Sequence, residues 1–130
     1  MGSRLGTSTF SIIERGQLRM RIFEVKKSAI NSKRGEFLVG FQETGSHACY
    51  MIYGVLKSSD KGRSVRPGPG HAEIVLAMKG DLEVTGSYSG GLKEGFALHL
   101  AGDQECFLEN QGESEAVYII SGGHLEAGRH

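Results

Sequence analysis

Along this chain, short apolar runs alternate with polar residues and are cut by glycines. Leu18-Arg19-Met20-Arg21-Ile22 sets apolar and basic side chains on opposite faces, which predicts a half-buried strand. Phe23 and Val25 continue it on the other parity, which predicts a bulge or a second covered face. Ser11-Ile12-Ile13-Glu14 has capping-box spacing, but Arg15-Gly16 limits any helix there to one turn. Residues 28–34 read as a polar connection, 36–41 as a strand and 44–46 as a turn. Residues 48–56 are apolar on both faces, as in a central strand, with Tyr50 and Ile52 facing one way and Cys49, Met51 and Tyr53 the other.

Further along, 73–78 and 82–85 read as a hairpin over Lys79-Gly80-Asp81, with 86–91 a loop. Residues 95–100 form a strand, 106–108 a short extended piece and 116–120 the last strong strand, which Gly122-Gly123 ends. Residues 126–130 read as a loose tail. At least eight short strands with glycine-rich turns, and no amphipathic helix of useful length, predict an all-β sandwich or small barrel of the jelly-roll kind.

Composition sharpens this picture. Gly is 20 of 130 residues, about twice ordinary usage, against 2 Pro, which suits many tight turns. The length predicts a single domain over 1–130, with N-terminal strands in 17–45 and a barrel core at about 48–120. Fifteen basic residues balance fifteen acidic ones, which argues against nucleic acid as a partner. The cationic N-terminal third, including Lys33 and Arg34, is interleaved with Glu14, Glu24 and Glu36 and reads as a solvated face. No run approaches a membrane span, and Cys49 and Cys106 lack Cys-x-x-Cys spacing. The expectation is a cytoplasmic protein with reduced thiols and no membrane partner.

Pro67-Gly68-Pro69-Gly70-His71-Ala72-Glu73 leads into the apolar run 74–78. His71 and Glu73, at i and i+2 of an extended segment, point to one face about 7 Å apart. They could converge on a divalent ion, or hydrogen-bond each other at a barrel mouth. A metal site needs a third ligand, with His99 the first choice and Glu105 and Cys106 after it. His99 faces opposite to Phe96, Leu98 and Leu100. If those three pack outside, His99 lines the pocket; if they fill the barrel, it is a surface residue. Cys106 is a soft ligand, a nucleophile or an inert core thiol. Tyr50 and Tyr53 either line the pocket or pack their rings with the hydroxyls in solvent.

Several of these residues resemble the motifs of the cupin superfamily. Glu73, six residues, then Gly80 matches the glutamate and glycine of its first motif, and Gly80-Asp81-Leu82-Glu83-Val84 resembles that motif's ending. Gly95, the run 96–100, Ala101-Gly102 and Asn110-Gln111-Gly112 resemble the second. The resemblance covers about 48–120 and implies a double-stranded β-helix with a central pocket, often a homodimer. The metal-binding members carry their ion on these motifs; here the His71–Glu73 pair could take one divalent transition metal of the Zn, Fe, Mn or Ni class, and otherwise no cofactor is expected. The departures lie at the ligands. Arg66, Pro67, Gly68 and Pro69 stand where two histidines are usual, and Glu105 or Cys106 where a third is. Only Glu73 matches position by position.

Three functions follow as expectations. The first is a small-molecule binder using the barrel pocket. The second is a metal-dependent dioxygenase, isomerase or lyase with a site rebuilt from His71, Glu73 and His99. The third is a metal-free sugar epimerase or isomerase using a histidine and a tyrosine as base and acid.

Overall fold

The computed structural model describes residues 13–14, 17–18 and 20–125. The described elements are β1 (Ile13–Glu14), β2 (Gln17–Leu18), α1 (Val25–Ile30), β3 (Glu36–Val39), α2 (Phe41–Thr44), β4 (Cys49–Leu56) and β5 (Arg63–Val65). There follow β6 (Gly68–Lys79), β7 (Leu82–Gly86), β8 (Gly90–Leu92), β9 (Ala97–Gly102), β10 (Cys106–Glu109) and β11 (Ala116–His124). One antiparallel sheet runs β9-β6-β11-β4-β3; a second runs β5-β10-β7-β8; β1 and β2 form a separate pair. The architecture is the all-β jelly-roll barrel that the strand pattern predicts.

One apolar core lies between the two sheets. Leu56, Val75, Ala77, Leu100, Tyr118 and Ile120 enter it from the five-stranded sheet, and Val65, Leu82, Val84, Leu92, Cys106 and Leu108 from the four-stranded one. Strict alternation sends the intervening residues outward. A second cluster covers part of the outer face of the larger sheet, where Ala29 of α1 packs on Tyr53, Val55 and Val117.

The structure corrects several local expectations. Val25 does not extend a strand but opens α1, whose Val25 and Ala29, at i and i+4, face the sheet. Ile13–Glu14 is extended and pairs with Gln17–Leu18; Ser11 and Ile12 of the capping-box expectation lie outside the described residues, as does the tail at 126–130. β6 and β7 do not form a hairpin. β6 pairs with β9 and β11, whereas β7 pairs with β8 and β10, so the Gly80 turn carries the chain from one sheet to the other. Gly122 and Gly123 do not end the last strand, which runs through them to His124.

Candidate functional site

The inner face of the larger sheet has rows set by register. At one end, the mouth, Gly122 of β11 pairs with Tyr50 of β4 on one side and Glu73 of β6 on the other. Next comes an apolar row of Val75, Ile120 and Ile52, with Leu98 at its edge. Beyond it, toward the base, Ala77, Tyr118, Gly54 and Glu36 lie side by side. Four residues of strand separate the mouth row from the base row, about 13 Å.

Glu73 is only 6% exposed. A carboxylate that deep needs a hydrogen-bond partner, and the Tyr50 hydroxyl donates to its Oε2 at 2.5 Å. The bond spans three strands, so the tyrosine ring must cross the middle one. A Cβ on Gly122 would stand 2.2 Å from Tyr50 Cζ, so only glycine leaves room there. Burial first, then the Glu73 carboxylate, pushes the Tyr50 phenol far above its ordinary pKa. The hydroxyl therefore stays protonated and donating at neutral pH.

His71 lies two residues before Glu73 on the same face of β6. Its Nδ1 is 3.1 Å from the Pro69 carbonyl oxygen. A carbonyl only accepts, so this nitrogen carries the hydrogen, and in the neutral imidazole the lone pair is on Nε2. The His71 ring is 6.2 Å from the Tyr50 ring and 4.7 Å from that of His124, its register partner on β11. The Leu125 amide donates to the Gly70 carbonyl at 2.7 Å and ties the end of β11 to β6.

The base row repeats the arrangement with one addition. The Tyr118 hydroxyl donates to Glu36 across Gly54, where a Cβ would lie 2.0 Å from Tyr118 Cζ. Here Arg63 joins in. Its Nη1 donates to the Tyr118 oxygen at 2.6 Å and lies 3.7 Å from Glu36 Oε2. Burial and Glu36 raise the Tyr118 pKa, and Arg63 partly opposes them.

The remaining residues singled out from sequence do not join the mouth. His99 pairs with Ile74 on the outer face and is exposed, because Leu98 and Leu100 point into the barrel. Tyr53 is buried on the outer face against Ala29 rather than lining the pocket. Cys106 is 1% exposed within the apolar core. His71, Glu73 and His99 therefore cannot share an ion, since His99 faces away. Among the described residues no three His, Cys, Asp or Glu side chains are placed to hold one. The residues present do not fit the implied transition metal. Sequence reasoning missed His124 and Gly122. The signal for both was an inward-facing parity continuing past Ile120.

No protein-family model matches the chain, and no curated protein matches it significantly. Solved structures do resemble it. The cupin_2 domain of an XRE-family transcriptional regulator from Enterobacter cloacae aligns at TM-score 0.57 and 14% identity, over 70% of this chain and 98% of that one. An RmlC-like cupin from Shewanella frigidimarina gives TM-score 0.54 and 11% identity, over 71% and 77%. Oxalate oxidase gives TM-score 0.58 and 19% identity over 72% of this chain and 53% of its own, so the match spans about half of that protein. The chain has the cupin fold. Proteins with that fold include an enzyme and a domain of a transcriptional regulator, so the fold alone assigns no activity.

Proposed function

We propose that this cupin-fold protein binds a small polar molecule at the barrel mouth formed by Tyr50, Glu73, His71 and His124. The observation that carries the reading is the Tyr50–Glu73 hydrogen bond on the inner face, with His71 beside it. The mouth is rich in acceptors. Glu73 offers carboxylate lone pairs, Tyr50 has spent its one hydrogen on Glu73, and His71 keeps Nε2 free. Such a set selects a ligand that donates hydrogen bonds, such as a sugar, another polyol or a small amine. An anionic ligand would meet the Glu73 charge. The test is a thermal-shift screen of neutral polyols, amines and dicarboxylates. A polyol or amine is expected to raise the melting temperature of the wild type and not that of Glu73→Gln or Tyr50→Phe. Stabilisation by dicarboxylates alone would sink the reading.

A second reading is favoured by the His71–Tyr50 pair. A histidine and a tyrosine with ring centroids 6.2 Å apart are the residue types a metal-free epimerase or isomerase uses as base and acid. Exchange of a substrate C–H for solvent deuterium, lost in His71→Gln while ligand binding persists, would support it. Absence of exchange with every ligand found in the screen would leave binding alone.

A further inference from the structure

A cationic groove at the opposite end of the barrel is used by neither reading. Two adjoining cavities, of about 250 and 360 Å³, share Lys33, Arg34, Asp60 and Arg63. Lys57 lines the first and Lys61 the second. The cations come from three separate segments: the turn after α1, the turn between β4 and β5, and the start of β5. Their convergence is built into the backbone. Gly35 has φ +77°, and a Cβ there would lie 2.7 Å from the Val55 carbonyl oxygen and 3.4 Å from Arg63 Nη2. Glycine thus lets the Lys33-Arg34 turn lie against Arg63. The Val55 amide donates to the Gly35 carbonyl at 2.8 Å and holds the turn in place.

The groove's charge is not cancelled from within. Arg63 is held by Tyr118, Glu36 and the Val55 carbonyl, and Arg34 Nε donates to Glu36 at 2.8 Å. Asp60 Oδ2 accepts from the Lys57 amide at 2.9 Å. Glu115 lines the first cavity. Five cations therefore stand against the three carboxylates of Glu36, Asp60 and Glu115. The surplus is two positive charges, in a chain of zero net charge.

We propose that this groove binds a phosphate-bearing small anion. A phosphate monoester carries close to two negative charges and several acceptor oxygens at neutral pH. It thereby matches both the surplus and the donor-only chemistry of lysine and arginine. A monocarboxylate satisfies half of it. The cavities suit a small molecule rather than a polymer.

The test is titration of the full chain with inorganic phosphate, followed by backbone amide NMR. Saturable shifts are expected on residues 33–35 and 61–64. In the double variant Lys33→Ala/Lys61→Ala the dissociation constant should rise about tenfold. Lys93→Ala, at an exposed lysine that lines neither cavity, serves as the control and should leave it unchanged. Shifts that never saturate, or equal weakening in Lys93→Ala, would overturn the proposal as a bulk-charge effect. A parallel arm uses vesicles with and without phosphatidic acid. Sedimentation with the acidic vesicles that free phosphate does not displace would also overturn it, in favour of a membrane surface.

Discussion

The barrel uses one device twice. At the base, Tyr118 reaches across Gly54 to Glu36; at the mouth, Tyr50 reaches across Gly122 to Glu73. In both, glycine on the middle strand gives a tyrosine ring room to lie flat and bridge to a carboxylate two strands away. They differ in closure. The base row has Arg34 and Arg63 as counter-charges, and Tyr118 is 0% exposed. The mouth row has no arginine or lysine ion-paired to Glu73 among the described residues, and Tyr50 is only partly buried. A carboxylate that already has its counter-charges, as Glu36 has Arg34 and Arg63, is a finished structural element. One held by a single phenol in a half-open end still has capacity for a ligand.

Mutations should separate the two rows, most sharply at the glycines. Gly54→Ala should cost about 3 kcal/mol or more in urea denaturation, because the boxed-in Tyr118 ring has nowhere to go. Gly122→Ala should cost about 1–2 kcal/mol, since Tyr50 can swing outward, but it should abolish ligand stabilisation. Equal losses at both sites would remove the distinction between a closed and an open row.

Removing polar partners comes next. Arg63→Met should destabilise by roughly 1–2 kcal/mol, because it takes away the guanidinium that bonds the buried Tyr118 hydroxyl and leaves Glu36 with Arg34 alone as counter-charge. Tyr50→Phe should cost less than about 1 kcal/mol while eliminating the ligand-induced shift. Smaller again, Glu73→Gln should lie within about 0.5 kcal/mol of wild type or be slightly more stable, because it removes a buried charge that the fold does not need. A large loss in Glu73→Gln would make the mouth row structural as well.

The smallest effect is in pH. Both phenols have a folded-state pKa raised above the unfolded value. Their contribution is complete below about pH 10 and is lost as pH rises further, because the unfolded chain releases those protons first. Alkaline denaturation midpoints should therefore depend less steeply on pH in Tyr118→Phe and in Tyr50→Phe than in wild type. An unchanged slope in either variant would show that its phenol is not shielded.

Much of this was legible in the residues. Short alternating runs and glycine punctuation marked the long central strands, and Glu73 with Gly80 pointed to the cupin fold. But β5 and the start of β8 fall where the pattern predicts a turn and a loop, and Met20 and Ile22 of the expected half-buried strand are fully exposed. Parity separated Tyr50 from Tyr53 on β4 and tied His71 to Glu73 on β6. It also reduced His99 to two alternatives, of which the inward packing of Leu98 and Leu100 selects the surface. Other features depend on contacts that no local pattern encodes. Whether 73–78 and 82–85 pair or part is decided by partners far along the chain. Gly122 and Gly123 look like a strand end because glycine usually marks one. Here the missing Cβ of Gly122 is filled by a ring from another strand. His124 was lost with them. The six-residue α1 is too short for a helical period to show, and packing on Tyr53 and Val117 sustains it.

The place of β11 in the sheet sets a schedule for the molecule's history. It is the last described strand, yet it lies between β6 and β4, and it supplies both Gly122 and His124. Until it inserts, β4 and β6 have no common neighbour, and Tyr50 and Glu73 belong to separate pieces of chain. Pairings this distant in sequence form slowly. A nascent chain emerging from the ribosome can therefore shape its first hairpin early, but it has no mouth until residue 124 has been made and threaded home. Any binding activity there is a signal that this sheet is complete.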